Sequence, residues 1–167
     1  MILAFDTYYF DGKAKTVCLC FDSWVSIEPS KLYSEILSGI EDYIPGEFYK
    51  RELPCVLSLF RQVNTTDLEA IIVDGYVYVN DEMTFGLGGY LYATLQGKIP
   101  VIGVAKSNFK TLDKLKLALY RGNSNNPLFI SSIGIEVNTA YDHIASMHGP
   151  YRFPTLLKML DNLTKIV

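Results

Sequence analysis

Leu68-Glu69-Ala70-Ile71-Ile72-Val73-Asp74-Gly75 is the stretch on which the reading of this chain turns. It is short, mostly apolar and rich in Ile and Val, and a glycine closes it. Such a run reads as a strand in the buried middle of a sheet. An aspartate ending that strand is either held by loop amides or offered to a cation. Upstream, residues 1–10 and 13–21 read as two strands joined by Asp11-Gly12, a strong hairpin signal. Residues 25–28 are a candidate third strand, 30–40 a short helix or irregular segment, and 43–46 a turn. Residues 52–63 have helical spacing, with Leu53, Val56, Leu57 and Phe60 on one stripe and Pro54 in the first turn. Downstream, 76–79 continues extended. Residues 84–96 read as a small-residue helix in which Gly88-Gly89 implies close packing. Residues 100–105 form a second buried strand, 111–120 a helix, 128–131 a strand, and 136–147 and 155–166 two helices with apolar stripes. A hairpin followed by alternating strands and helices predicts an α/β fold: a mixed central sheet flanked by helices, in one domain over residues 1–167.

The composition agrees. A chain of 167 residues, 49% hydrophobic and 20% charged, is long enough for one sizeable core. Its longest apolar runs, such as 99–105, are too short to cross a bilayer, and its start reads as a strand, not as a signal peptide. A cytoplasmic location with no membrane partner follows as the expectation. Cys18, Cys20 and Cys55 include no CxxC pair and are expected to be buried free thiols. The net charge of −3 argues mildly against a nucleic-acid partner. A metal site would reverse that argument, because carboxylates hold the ions and the ions supply positive charge.

Four acidic residues sit where chemistry is usually done. Asp6 lies in an apolar strand, Asp74 ends one, Glu52 opens a predicted helix after an arginine, and Asp161 lies in the last helix. Each alone reads more simply as structural: Glu52 suits a helix N-terminus through the dipole, and Asp161 a solvated helix face. As a set they suit magnesium, which takes oxygen ligands and keeps several waters. Two such ions about 4 Å apart can activate water and stabilise the leaving oxygen of a phosphodiester. Periodicity does not say whether the four converge. The histidines, His143 and His148, read as packing and helix-end residues. GxSxG, P-loop and GxGxxG motifs are absent.

Several stretches together resemble the endonuclease V family. Asp6-Thr7-Tyr8-Tyr9 is similar to its opening strand, with an aspartate followed closely by an aromatic. Tyr43-Ile44-Pro45-Gly46 and Arg51-Glu52-Leu53-Pro54 match its YIPG and RExP segments at the family's spacing. Val73-Asp74-Gly75, Ile102-Gly103-Val104-Ala105-Lys106, Asn126-Pro127-Leu128-Phe129-Ile130-Ser131 and Gly149-Pro150-Tyr151-Arg152-Phe153-Pro154 follow in the right order. The resemblance implies a ribonuclease H-like fold and a Mg2+-dependent endonuclease, with Mn2+ as a substitute. Its substrate would be DNA or RNA containing a deaminated base such as inosine, cut one nucleotide beyond the lesion on the 3′ side. Asp6, Glu52 and Asp74 would hold the metals, with Asp161 beside them. Lys106 would sit near the scissile phosphate, and Tyr43, Ile44, Pro45 and Gly46 would form a wedge entering the duplex. A monomer is favoured over a weak dimer.

Three features depart from the family pattern. After Val73-Asp74-Gly75 the family has a glycine and a His-Pro-Arg run; here Tyr76-Val77-Tyr78-Val79-Asn80-Asp81-Glu82-Met83-Thr84-Phe85 stands instead, with added acidic residues that would repel phosphate unless turned away. A family histidine in the next helix corresponds to Tyr92. The chain starts at the first strand, without the family's N-terminal helix or a basic C-terminal extension. These departures leave two other readings: a non-catalytic relative that binds nucleic acid or a partner, and a metal site acting on a different phosphodiester.

Overall fold

The structure is a computed structural model that describes residues 1–40, 42, 44–45 and 47–167. Its elements in order are β1 (Ile2–Phe10), β2 (Lys13–Phe21), β3 (Lys31–Ser38), α1 (Phe48–Phe60), β4 (Ala70–Asp74), α2 (Leu87–Thr94), β5 (Val101–Ala105), β6 (Leu117–Leu119), β7 (Leu128–Ile133), α3 (Val137–Ser146) and α4 (Thr155–Thr164). The strands make one seven-stranded sheet in the order β3-β2-β1-β4-β5-β7-β6. β1, β4 and β5 are parallel neighbours, and the remaining pairs are antiparallel. At the hairpin tip, Asp11 and Gly12 both adopt positive φ, 48° and 69°, as a two-residue turn between twisted strands requires.

Alternation along the strands gives the sheet two apolar faces. Ile2, Ala4, Ile72, Ile102 and Val104 pack under α3 and α4 with Ile144, Leu157 and Leu160. Leu3, Phe5, Ile71 and Val73 pack under α1 and α2 with Val56, Leu59 and Leu91. The predicted mixed sheet flanked by helices is the observed architecture. The Gly88-Gly89 expectation also holds: a Cβ on Gly89 would lie 2.4 Å from a Phe85 ring carbon, and one on Gly88 2.8 Å from a Val77 methyl. All three cysteines are buried and free. Among the described residues, no helix is long and apolar enough to cross a membrane.

Four local expectations are corrected. Residues 31–38 are a strand, β3, not a helix or irregular segment; Leu32, Ser34 and Ile36 are exposed while Tyr33, Glu35 and Leu37 are half-buried. Apolar residues on both faces mask that period of two in the sequence. Residues 25–28 lie in the loop before β3 and form no strand. Residues 111–120 form no helix. The Asp81 carboxylate accepts from the amides of Asp113 and Lys114, 2.9 Å each, and these local bonds compete with helix formation; residues 117–119 pair with β7. Finally, α1 starts at Phe48, so Pro54 lies in its interior and Glu52 in its second turn. Tyr49, stacked on Tyr90 at 4.1 Å, anchors the extra turn.

Candidate metal and nucleic-acid site

The register of the parallel strands builds the site. β1 and β4 pair with Phe5 opposite Val73, so Asp6 and Asp74 come level on neighbouring strands at the same end of the sheet. Asp74 pairs with Val104 of β5, and Lys106 follows two residues later. Asp6, Asp74 and Lys106 have the parity of Ala4, Ile72 and Val104, so all three point to the α4 face. Asp161 of α4 covers them from above. Together with Phe153 and Leu157 they line a cavity of about 30 Å³, the space of about one water. Glu52 reaches the same strand ends from α1, on the other face. The helix-dipole account of Glu52 therefore gives way, because the residue is inside the helix, only 2% exposed and faces the sheet.

These carboxyls are poorly compensated. Asp6, 7% exposed, accepts one backbone hydrogen bond, from the Thr7 amide at 2.8 Å. Burial, and then the charge of Asp74, push its pKa up to about 7, against the pull of Lys106. Burial, followed by the charges of Asp74 and Asp6, holds the Glu52 carboxyl well above the usual carboxylate range. Its Oε2 is buried and has no hydrogen-bond partner among the described residues. Asp74 is also raised, chiefly by burial, although Lys106 opposes it. Asp6 and Glu52 are buried, the half-buried Asp74 raises both, and one Glu52 oxygen is orphaned, a set whose charge a bound cation would neutralise.

The donor set fits magnesium or manganese, being all oxygen and acidic. Among the described residues, no three His, Cys, Asp or Glu side chains already cage one point. Magnesium does not need a closed cage, since it keeps several waters and binds through few carboxylates.

Asp161 differs from the other three. Its Oδ1 lies 3.1 Å from Lys106 Nζ, and its Oδ2 lies 3.0 Å from Lys165 Nζ and 3.9 Å from Lys158 Nζ. Burial works to raise it, but the hydrogen bonds from Lys165 and Lys106 prevail and its pKa lies below the ordinary value. In this arrangement Asp161 is a counter-ion that aims Lys106 at the aspartates. The Lys106 ammonium is half-exposed. Burial disfavours its charge, but Asp74 and Asp161 outweigh that and raise its pKa.

The surroundings are basic despite the acidic total. Phe153 has Arg152 Cζ at 5.3 Å, Lys106 Nζ at 5.5 Å and Lys158 Nζ at 5.8 Å from its ring centre. Arg121, which sequence reasoning missed, holds this loop in place: its guanidinium donates to the carbonyls of Met147, Gly149 and Tyr151. All its partners are backbone oxygens, so no side-chain pattern could announce it. Thr7 was also missed; its hydroxyl, 3.0 Å from that of Thr16, lies on the Glu52 side and favours the ionised form of Glu52.

Beyond Gly75 lies a second cavity, of about 340 Å³, with Phe48, Tyr49, Tyr76 and Phe109 among its walls. Gly75 has φ +115°, which a side chain would strain. Of the wedge residues, Tyr43 and Gly46 lie outside the described residues, and Ile44 and Pro45 are exposed at the entrance to α1. Tyr92 takes no part: it packs against Gly97 and Gly134, at the end of β5 opposite Lys106. The acidic turn after Gly75 is partly absorbed, because Asp81 binds the 113–114 amides and the net effect of these donors lowers its pKa. His143 stacks on Trp24 at 4.3 Å, a packing role, and the exposed His148, just past the end of α3, bonds Thr155 at 2.9 Å, a helix-end role, both as expected.

Comparison with known proteins agrees with this fold. A curated endonuclease V of Nostoc punctiforme is 28% identical, over 72% of this chain and 62% of that relative's length. The chain thus spans less than two thirds of that protein. The endonuclease V structure from Streptomyces avermitilis superposes with a TM-score of 0.83 at 22% identity, covering 98% of this chain and 79% of that one. That of Ciona intestinalis, solved in complex with a 24mer DNA containing an inosine, gives 0.81 at 15% identity, with 98% and 84% covered. At these identities the likeness establishes the fold. The model of the family described as Endonuclease V matches residues 1–162, nearly the whole length, and the chain belongs to that family.

Proposed function

We propose that this protein is a metal-dependent endonuclease that hydrolyses a phosphodiester near deaminated purines, such as inosine, in DNA or RNA. The observation that carries this is the trio of buried Asp6 and Glu52 with half-buried Asp74, brought together beside Lys106 with a Glu52 oxygen left unpartnered among the described residues. Mg2+, or Mn2+ in its place, would be held by these three carboxylates. When bound it supplies Lewis acidity and a more acidic water for attack on phosphorus. Lys106, held by Asp161, faces the same point and offsets charge developing on the phosphate oxygens. Arg152, Lys158 and Lys165 give the phosphate backbone a local basic surface that the net charge of −3 hides. The cavity beyond Gly75 has the volume and aromatic walls to take an unstacked base. Ile44 and Pro45 stand exposed in the loop leading into α1 that borders it, where a wedge would enter the duplex. Cleavage is expected one nucleotide 3′ of the lesion, in a cytoplasmic enzyme.

The test incubates purified protein with Mg2+ or Mn2+ and labelled single- and double-stranded DNA and RNA carrying one inosine, with Asp74→Asn as control. A cut one nucleotide past the inosine, lost in the control, is the expected result. Folded protein that binds these strands but cuts none of them with either metal would leave a binding-only relative as the reading.

A further inference from the structure

We propose that the outer edge of β3 binds a second copy of this chain, antiparallel strand against strand, continuing the sheet across a twofold axis. The two edges of the sheet are treated differently. β6, at one edge, is three residues long, a common way of blunting an edge. β3, at the other, runs eight residues in unbroken register with β2, without a bulge or a proline. Among the described residues no strand pairs with its far side. Its exposed face carries Leu32, 48% exposed, and Ile36, 52% exposed, and the loop before it adds exposed Val25 and Ile27. Two large apolar side chains therefore stand exposed on a strand edge that no other strand covers among the described residues.

Symmetry and charge select one register. A twofold axis normal to the sheet keeps each residue on its own face, so a residue can only oppose one of the same parity. Two centres leave seven residues paired. Centring on Glu35 sets two carboxylates against each other, which is destabilising in a cross-strand pair. Centring on Ser34 sets Ser34 against Ser34, Leu32 against Ile36, Tyr33 against Glu35, and Lys31 against Leu37. No like charges meet, and the two exposed aliphatic residues cover each other twice. The seven pairs make a contact about 23 Å long and about 10 Å deep. That is well below the roughly 800 Å² per partner of a standard stable interface, so the dimer is a dissociating one. The β3 edge thus argues for self-association where the family resemblance favours a monomer. The carboxylates lie on β1, β4 and α1, so pairing leaves the candidate site open.

Sedimentation velocity over a concentration series tests this without nucleic acid or metal, so its outcome is separate from that of the cleavage assay. The average mass should rise from one chain towards two, and Ile36→Lys, at an exposed position, should hold it at one. Ser34→Cys should form a disulfide-linked dimer on mild oxidation, since the three native cysteines are buried; Leu32→Cys, facing Ile36, should not. A single-chain mass at every concentration with no Ser34→Cys cross-link would overturn the proposal. So would a dimer that Ile36→Lys leaves intact, or cross-linking through Leu32→Cys alone. A disulfide from Ser34→Cys to a different protein in cell extract, without self-linking, would assign the edge to a foreign strand and equally overturn it.

Discussion

Asp74 and Asp81 stand seven residues apart, and their carboxyls are in opposite states. Asp81 sits at an exposed turn with two backbone amides pointing at it, and its pKa is lowered. Asp74 sits at the end of a buried strand beside Asp6 and Glu52, and its pKa is raised. Asp161 belongs with Asp81, because three lysines surround it. The difference teaches how to sort acidic residues. A carboxylate whose oxygens are already met by donors shapes the chain. One that is shielded from water, crowded by its own kind and short of donors is the candidate to hold a cation.

The largest effect should come from Asp74→Asn. A divalent ion supplies several kcal/mol of charge stabilisation, so losing its site should lower cleavage roughly 10³-fold or more. Calorimetry with Mn2+ should show the same loss directly. Lys106→Met, which keeps the alkyl stem, should lower kcat roughly 10²-fold and move KM little, since its charge acts on the transition state; an equal change in KM would make it a binding residue. Thr7→Val keeps the shape and removes the hydroxyl beside Glu52. It should weaken Mn2+ binding by roughly tenfold, with Thr7→Ser restoring it. Unchanged affinity would remove Thr7 from the site.

Stability should divide the two kinds of carboxylate by sign. Burial, and then the charge of Asp74, push the pKa of folded Asp6 up to about 7, from an ordinary 3.8. Between those values the folded protein binds more protons than the unfolded one, so metal-free stability falls as pH rises from about 4 to about 7. Each unit of such a shift is worth about 1.4 kcal/mol, so Asp6→Asn should raise the metal-free Tm at pH 8 by several degrees. Mg2+ should raise the Tm of the native protein and do little for the variant. Asp81→Asn should do the reverse: a small fall in Tm at neutral pH, fading as pH drops below the carboxylate range, with cleavage unchanged. Should Asp6→Asn and Asp81→Asn shift Tm the same way, the sorting fails.

Much of this fold was open to reading in the chain. The apolar run at Ala70–Asp74, the Asp11-Gly12 turn and the stripes of α3 and α4 all declare themselves, because period and turn chemistry are local properties. β3 did not, because an edge strand with apolar residues on both faces has no clean period. Residues 111–120 did not, because their conformation is set by Asp81, over thirty positions away. Glu52 stood among the suspect carboxylates as the opening residue of a helix, and its burial appeared only when α1 was found to begin at Phe48.

By itself, then, the sequence determined the fold class, the family and which carboxylates to suspect, since these rest on residue types and short spacings. The tertiary structure decided that Asp6 and Asp74 lie level on adjacent strands, that Glu52 joins them from the opposite face, and that Asp161 lines the same cavity with lysines around it. The reason is physical. A carboxylate's state depends on which donors and charges lie within a few ångströms, and strand register and helix packing, not sequence distance, set those neighbours.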